Sequence, residues 1–218
     1  SYGDKKKINV IDIGCGNGTP VYPILDEIIK NNIQFRYVPI DISKEMLDIA
    51  IKNLRFKYKS IDCRPFQLDF ELGNFSDIIY DLKRNGYSNL LLFLGSTLGN
   101  HSDRNRVLMN FRDSMTSDDY FILGVELTNV SKNNKILSHY KGKVSEDFIY
   151  LVPEKIGIKR KNTEYDVSWN EKKHQIEIRI ILKKDFNVKI GNENFKLEKD
   201  EQILLGISVK FTEWTITK

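Results

Sequence analysis

A glycine-rich turn follows the first apolar run of the sequence and is the first feature that could bind a ligand. Three glycines, Gly14, Gly16 and Gly18, come directly after the run and are spaced Gly-x-Gly-x-Gly. Glycines at a strand-to-helix turn let the backbone approach a ligand closely, and they adopt positive φ values that other residues resist. The alternative is an ordinary tight turn between a strand and a helix.

Acidic residues follow the second and third apolar runs. Asp41 ends the second run, where a carboxylate can accept both hydroxyls of a ribose, as acids about 20 residues after a glycine-rich turn do. A helix cap is the alternative for Asp41, although Ser43 is already available for capping. After the third run, Asp69 and Phe70 could hydrogen-bond the exocyclic amine of adenine and cover its face. Together these residues predict a nucleoside site.

Small residues and an amide follow the fourth apolar run. Gly95 and Ser96 would leave room for a cofactor beside the reacting centre. Asn100 presents a neutral donor and acceptor, so it could hold a substrate amine through its carbonyl oxygen without a charge that favours the ammonium form. The alternative is a turn-forming asparagine before the next helix.

The glycine spacing distinguishes between nucleoside ligands. It is one residue shorter than the dinucleotide fingerprint Gly-x-Gly-x-x-Gly. The shorter form is associated with S-adenosylmethionine, whose amino-acid part lies against the turn in place of a pyrophosphate. The sequence therefore favours S-adenosylmethionine as the cofactor over a nicotinamide dinucleotide.

The elements that must position these residues alternate regularly through residues 1–127. The pattern predicts strands at 8–13, 35–40, 63–68, 90–94 and 120–127, and helices at 20–31, 43–53, 76–84 and 103–115. Strands separated by helices of this length require a mainly parallel sheet with helices on both faces. The prediction is a Rossmann-like α/β fold of the class I methyltransferase kind, with its ligand at the carboxyl ends of the strands.

The pattern changes in residues 128–218. Helices are predicted at 130–140 and 145–156, a hairpin of strands 164–169 and 174–182 across residues 170–173, and further strands around 186–190 and 202–211. We therefore expect two domains, a cofactor-binding domain at 1–127 and an auxiliary α+β unit at 128–218 on the substrate side.

Composition excludes several other classes of protein. The net charge of +4 is mild, and no basic run is interleaved with aromatics, so nucleic acid is not an expected partner. No apolar stretch of about 18 residues and no signal peptide occur, which predicts a cytoplasmic protein without a membrane partner. Cys15 and Cys63 are expected to be reduced thiols. The histidines, His101, His139 and His174, are expected at surface or hinge positions, and no metal site is expected.

At four places the sequence resembles the histidine-specific S-adenosylmethionine-dependent methyltransferases, the group that contains the ergothioneine-pathway histidine Nα-trimethyltransferase. The matching segments are residues 14–19, 37–43, 69–71 and 93–100. The most specific of them is the string Leu-Gly-Ser-Thr-Leu-Gly-Asn that ends at Asn100. The likeness continues through 139–140, 175–179 and 207–211, and so covers nearly the whole chain.

The resemblance implies an enzyme that transfers a methyl group to the amine of histidine or a related small amino acid. It implies a cofactor site formed by Gly14, Gly16, Gly18, Asp41, Asp69, Phe70, Gly95 and Ser96. It also implies that three residues face the substrate, Asn100, Tyr140 and Ser208, of which Asn100 and Tyr140 would be catalytic. Methyl transfer needs little acid or base from the protein, because the leaving group is a neutral thioether and the rate comes mainly from alignment.

Two residues depart from the family pattern. Gly206 stands where members commonly have an acid that holds the substrate imidazole, and losing that charge-assisted bond puts histidine itself in question as the substrate. Pro20 stands where a lysine is common. The resemblance also implies an N-terminal helical segment over the substrate and two more strands at the end, whereas this chain begins at the first strand and stops soon after Phe211. A fragment and a natural miniature are both open interpretations.

Three functions therefore remain to be compared. The first is an amine N-methyltransferase, and the second is a non-catalytic S-adenosylmethionine-binding module that works with a partner. The third is a nicotinamide-dependent oxidoreductase, which the short glycine spacing disfavours.

Overall fold

The chain forms two compact units, Ser1–Val125 and Glu126–Lys218. The structure is a computed structural model that describes residues 7–73, 75–95, 97–125, 127 and 133–211, apart from the side chains of 133–135. None of the helices within these ranges is long and apolar enough to cross a membrane. The roles expected for the two units stay predictions.

The described residues of the first unit form five strands and four helices. The strands are β1 Lys7–Ile13, β2 Gln34–Asp41, β3 Phe66–Gln67, β4 Tyr87–Phe93 and β5 Tyr120–Leu123. The helices are α1 Tyr22–Lys30, α2 Lys44–Lys57, α3 Ser76–Leu82 and α4 Arg104–Ser114. All strand pairs are parallel, in the order β3-β2-β1-β4-β5. The predicted Rossmann-like sheet is confirmed, and its strand order reverses between β1 and β4, where such sheets bind ligands.

Helices cover both faces of this sheet. Leu92 and Phe93 are successive residues of β4, so their side chains point to opposite faces. Leu92 belongs to a buried cluster with Leu25 and Ile28 of α1. The ring of Phe93 packs edge-on against Phe111 of α4, with ring centroids 4.9 Å apart. The alternation of strands and helices therefore predicted the layers correctly.

The third strand is shorter than the predicted range 63–68. Cys63 makes only an isolated parallel bridge to Tyr37, and the regular pairing with β2 begins at Phe66. Pro39 of β2 lies between these two pairings, and it has no backbone N–H to donate to the carbonyl oxygen of Arg64. The ladder is consequently interrupted, and side chains must hold much of the segment that follows.

The fifth strand also ends early, at Leu123 instead of residue 127. The backbone N–H of Gly124 still donates to the carbonyl oxygen of Phe93, at 2.8 Å. Beyond that bond a glycine offers no side chain to pack on the sheet, which weakens a strand.

By contrast, α2 continues past the predicted end at residue 53, to Lys57, because the buried Leu54 extends its apolar face.

The second unit joins two helices to two small antiparallel sheets. Its elements are α5 Asn133–Tyr140, α6 Lys143–Lys155, β6 Thr163–Asn170, β7 Gln175–Leu182, β8 Phe186–Ile190, β9 Glu193–Leu197 and β10 Gln202–Val209. One sheet has the order β10-β7-β6, and β8 pairs with β9. The predicted hairpin of β6 and β7 is confirmed. Strand β9 was not predicted, because most of its residues are exposed and polar.

The two faces of the three-stranded sheet differ in polarity. Ile176 and Ile178 of β7 lie in a buried cluster that Tyr140 and Ile149 pack against. On the opposite face, the buried carboxylate of Glu177 accepts hydrogen bonds from Asn170, Gln175 and Arg179. Residues of β10 that pair with Ile176 and Ile178 therefore lie on the apolar face.

Candidate functional site

The glycine turn after β1 has the conformation that its sequence predicts. Gly14, Gly16 and Gly18 have φ values of +65°, +53° and +73°. The backbone N–H groups of Gly14 and Cys15 both donate to the carbonyl oxygen of Ile40, at 2.8 and 3.2 Å. The turn is thereby fixed to the end of β2.

The three glycines are needed for different reasons. A Cβ on Gly18 would lie 2.6 Å from Leu54 Cδ1 and 3.2 Å from the Cα of Ala50, so Gly18 lets α2 pack closely. A Cβ on Gly16 would meet only the Met46 methyl carbon, at 4.0 Å. The backbone at Gly16 therefore has open space beside it, which is where a ligand could approach.

The close packing at Gly18 gives a prediction about stability. Gly18→Ala should lower the free energy of unfolding by about 2–5 kcal/mol, since left-handed strain of about 1–2 kcal/mol adds to overpacking of about 1–3 kcal/mol. Gly86→Ala is the matched control, because Gly86 has φ +77° but nothing within 4 Å of an added Cβ. Urea denaturation of both variants measures the difference. Equal losses would show that packing against α2 contributes nothing.

Asp41 connects the glycine turn to the start of α2. Its Oδ2 accepts from the backbone N–H of Gly16 and its Oδ1 from that of Ser43, each at 3.0 Å. The alternative of a helix cap is wrong for Asp41, because the Ser43 hydroxyl caps α2 by accepting from the Met46 N–H at 3.2 Å. Each carboxylate oxygen has a further lone-pair site. Binding of a ribose by Asp41 stays a prediction.

Asp12 is a second carboxylate at this turn, and sequence reasoning gave it no role. It is 2% exposed, and its Oδ2 accepts from the Tyr37 hydroxyl at 2.7 Å. Burial raises the pKa of Asp12 to about 6, and the charge of Asp41 also raises it. Burial likewise raises the pKa of the Cys15 thiol, with further contributions from the charges of Asp12 and Asp41. The carboxylates of Asp12 and Asp41 therefore both act on this turn.

Residues after β3 pack beneath the turn. The ring of Phe70 is 7% exposed and lies 5.6 Å from that of Phe93 and 5.9 Å from that of Phe111, between centroids. A Cβ on Gly14 would lie 3.5 Å from the same ring. Most of the Phe70 ring is thus already in contact with protein, and its role as a cover for adenine stays a prediction.

Asp69 shapes the segment after β3. Its Oδ1 accepts from the backbone N–H groups of Glu71 and Leu72, at 3.0 and 3.3 Å. Asn110 of α4 donates to the carbonyl oxygens of Phe70 and Glu71, at 3.3 and 2.7 Å. Side chains therefore replace the interrupted ladder here. Contact of Asp69 with adenine stays a prediction.

His101 was expected at a surface or hinge position, and the structure buries most of its side chain. Its Nδ1 lies 3.1 Å from Oε2 of Glu71, and its side chain is 16% exposed. Its ring packs against Phe70 with centroids 5.5 Å apart. This contact joins the segment after β3 to the segment after β4, and no local pattern in the sequence indicates it.

The segment after β4 carries the remaining predicted residues of the first unit. Gly95 has φ +71° and is exposed. Asn100 ends a short 3-10 turn, Thr97–Asn100, and its side chain is exposed. Ser96 lies outside the described residues. The contacts predicted for Gly95 and Ser96 with the cofactor, and for Asn100 with a substrate amine, stay predictions.

Tyr140 and Ser208 are brought together within the second unit, although 68 residues separate them. The Tyr140 hydroxyl donates to Ser208 Oγ at 2.9 Å. Lys210, which is buried, donates to the Tyr140 hydroxyl at 3.2 Å. The backbone carbonyl of Tyr140, at the end of α5, accepts from the Tyr165 hydroxyl at 2.8 Å. Tyr140 is thereby held at both its backbone and its hydroxyl.

Gly206 lies on the same strand, two residues before Ser208. Gly206 pairs with Ile178, and Ser208 pairs with Ile176, so both face the apolar side of the sheet. A Cβ on Gly206 would make ordinary contacts at 3.5 Å with Ile149 and Ile178. The surroundings of this position are apolar.

Fold and site together define a Rossmann-like protein with a glycine turn and two carboxylates at the carboxyl ends of its strands. Residues 3–218 match a protein-family model described as "Histidine-specific methyltransferase, SAM-dependent". The chain belongs to this family of methyltransferases, and S-adenosylmethionine is its cofactor. The resemblance inferred from the motifs is thus confirmed.

Two solved structures illustrate what else the chain is similar to. The S-adenosylmethionine-dependent methyltransferase from Clostridium acetobutylicum ATCC 824 is 14% identical over 95% of this chain and 69% of that one, with a TM-score of 0.43. The PH0226 protein from Pyrococcus horikoshii OT3 is 16% identical over 99% of this chain and 74% of that one, with a TM-score of 0.49. A comparison with curated protein sequences finds no match. The assignment therefore depends on the family match.

The residues present fit the cofactor. The open backbone at Gly16 leaves space for a ligand, and the carboxylates of Asp12 and Asp41 suit a cation. S-Adenosylmethionine carries a positive sulfonium, whereas the pyrophosphate of a dinucleotide is an anion. Favourable charge at this turn is a property that the glycine spacing alone does not indicate.

Proposed function

We propose that the protein transfers a methyl group to the amine of a small amino acid, histidine or a related compound. S-Adenosylmethionine supplies the electrophilic methyl group when bound, and the products are the methylated amine, S-adenosylhomocysteine and a proton. The observation that carries most weight is the pair of carboxylates, Asp12 and Asp41, around an open glycine turn. In the proposal the first unit holds the methyl donor and the second unit contributes to the substrate site.

The cofactor would be held by residues at the carboxyl ends of the first four strands. These residues are Gly14, Gly16, Gly18, Asp41, Asp69, Phe70, Gly95 and Ser96. Asp41 would accept the ribose hydroxyls with the lone pairs that Gly16 and Ser43 do not use. Asp12 would favour the positive charge of the bound cofactor, because a buried carboxylate gains most from a nearby cation.

The substrate would be held by Asn100, Tyr140 and Ser208. Asn100 is exposed and neutral, so it would accept a hydrogen bond from the amine without favouring the unreactive ammonium form. Gly206, two residues before Ser208, provides no acid, and its neighbours Ile149 and Ile178 are apolar. A charge-assisted bond to an imidazole is therefore missing, which is why amino acids related to histidine belong to the proposed substrates.

A turnover assay across amino acids and amines tests the proposal. Purified protein is mixed with S-adenosylmethionine and each candidate in turn, and release of S-adenosylhomocysteine and mass of the product are measured. Release that requires an amine, with a gain of one methyl mass or more on nitrogen, supports the proposal. Cofactor binding without release for any candidate would instead support a non-catalytic module that works with a partner.

The role of Asn100 gives a prediction about pH dependence. Asn100→Asp should lower kcat at neutral pH about tenfold or more, because an adjacent carboxylate raises the pKa of the bound substrate amine by about 1–3 units. The loss should shrink as the pH rises and the amine deprotonates, whereas the loss in Asn100→Ala should not. Asn105→Asp, the same change at an exposed position of α4, is the control. A pH-independent loss in Asn100→Asp would contradict contact with the amine.

A further inference from the structure

Lys210 is a buried cation whose ammonium contacts the proposed substrate-binding tyrosine. It is 3% exposed, its Nζ lies 3.2 Å from the Tyr140 hydroxyl oxygen, and the same Nζ lies 5.3 Å from the centre of the Tyr140 ring. Its backbone N–H donates to the carbonyl oxygen of His174 at 2.9 Å, which fixes the strand at this point. A buried ammonium is stabilised by polar groups around it, and the Tyr140 hydroxyl is one of these groups.

The chemistry of an ammonium group fixes the direction of the neighbouring hydrogen bonds. Lysine has three donors and no acceptor, so the Tyr140 oxygen must accept from Lys210. The Tyr140 proton then points away from Lys210, and it is donated to Ser208 Oγ at 2.9 Å. Ser208 is 3% exposed and is the acceptor of this proton.

This arrangement determines what Tyr140 can offer to a ligand. A phenolic oxygen has one proton and two lone pairs. The proton is committed to Ser208 and one lone pair to Lys210, which leaves a single lone pair. Tyr140, which is only partly buried, is therefore an acceptor and not a donor towards any further group.

We propose that Lys210 is a positioning residue that makes Tyr140 an acceptor for an N–H of the substrate amine. The inference rests on the proposed function, in which Tyr140 contacts the amine. An amine that donates one N–H to Tyr140 has its rotation about the carbon–nitrogen bond restricted, so its nitrogen lone pair is held in one direction. Lys210 acts through Tyr140 and does not touch the substrate.

Kinetics of variants at the two positions test this role. Lys210→Met removes the donor, and Lys210→Gln offers an acceptor towards which the Tyr140 hydroxyl proton can rotate. Each variant should have a kcat about tenfold to a hundredfold lower than the wild type, which is the range for loss of a charge-assisted hydrogen bond. The change in KM should be smaller. Lys210→Arg remains donor-only and should recover most of the loss. If Lys210→Met fails to fold, Lys210→Gln carries the comparison. Lys189→Met, which removes an exposed lysine of β8, should match the wild type.

A double-mutant cycle decides whether Lys210 acts through Tyr140. Tyr140→Phe combined with Lys210→Gln should be no slower than Tyr140→Phe alone, because the hydroxyl that Lys210 orients is then gone. Additive losses, or a kcat in Lys210→Gln within twofold of the wild type, would overturn the inference. Failure of the wild type to methylate any amine would overturn the proposed function instead.

The direction of the hydrogen bond can be observed without turnover. In an NMR experiment on protein with labelled tyrosine and serine, the Tyr140 hydroxyl proton should show a nuclear Overhauser effect to the Ser208 methylene protons. The effect should disappear in Lys210→Gln. A Tyr140 proton directed away from Ser208 in the wild type would overturn the inference whatever the substrate is.

Discussion

Replacing Asp41 by asparagine should weaken binding of S-adenosylhomocysteine about tenfold to a hundredfold. The Asp41 carboxylate accepts from the backbone N–H groups of Gly16 and Ser43 at once. An asparagine has one carbonyl oxygen, so its amide NH₂ would face one of those two donors. The variant loses a charge-assisted bond, worth about 1.5–3 kcal/mol, together with an acceptor for the ribose.

Isothermal titration calorimetry measures this loss, with thermal unfolding to confirm that the variant is folded. Asp48→Asn is the matched control, since Asp48 is an exposed residue of α2 and undergoes the same chemical change. An Asp41→Asn protein that binds S-adenosylhomocysteine within threefold of the wild type would contradict the placement of the cofactor at this turn.

Replacing Asp12 by asparagine should stabilise the protein at neutral pH by about 3 kcal/mol. Burial raises the pKa of Asp12 from its ordinary value of 3.8 to about 6 in the folded chain, and one pKa unit corresponds to about 1.4 kcal/mol. A carboxyl with a raised pKa binds its proton more tightly when folded. The protonated carboxyl of Asp12 therefore adds to the free energy of unfolding at low pH, and this addition is lost as the pH rises from about 4 to about 6. Asparagine can still accept from the Tyr37 hydroxyl but carries no charge.

Urea denaturation between pH 4 and pH 7 tests this expectation. The wild-type free energy of unfolding should contain a component that falls over this range, and Asp12→Asn should lack it. Asp48→Asn should keep the wild-type slope, which controls for a general change in charge. Parallel curves for the wild type and Asp12→Asn would show that Asp12 does not carry a buried charge.

Much of the first unit could be predicted because its evidence is local. Apolar runs, helix periodicity and the Ser43 cap all lie within a few residues of the elements they define, and the sheet followed from their alternation. The early break in β3 was missed because its cause, Pro39, lies on the neighbouring strand and not in the run of residues 63–68. Strand β9 was missed because an exposed strand lacks an apolar face that periodicity could detect.

The site was less predictable, because its contacts join distant residues. The order of the glycine turn and Asp41 is visible in the sequence, but the partner of Asp12 is Tyr37, 25 residues away. His101 meets Glu71 across 30 residues. The family resemblance implied that Tyr140 and Ser208 both face the substrate, but it did not indicate the hydrogen bond between them. Residue type gives the chemistry of a side chain, while only the fold determines its neighbours.

The hydrogen bonds of the glycine turn have a consequence for recognition. Gly14, Cys15 and Gly16 already donate their backbone N–H groups within the protein, to Ile40 and Asp41. The turn is thus preorganised, and ligand binding need not supply the entropy cost of ordering it. With the cofactor placed as proposed, selectivity between S-adenosylmethionine and its demethylated product would then depend on direct contacts and on charge, such as that of Asp12. Product inhibition would accordingly be adjusted by electrostatics at this turn and not by opening and closing of a loop.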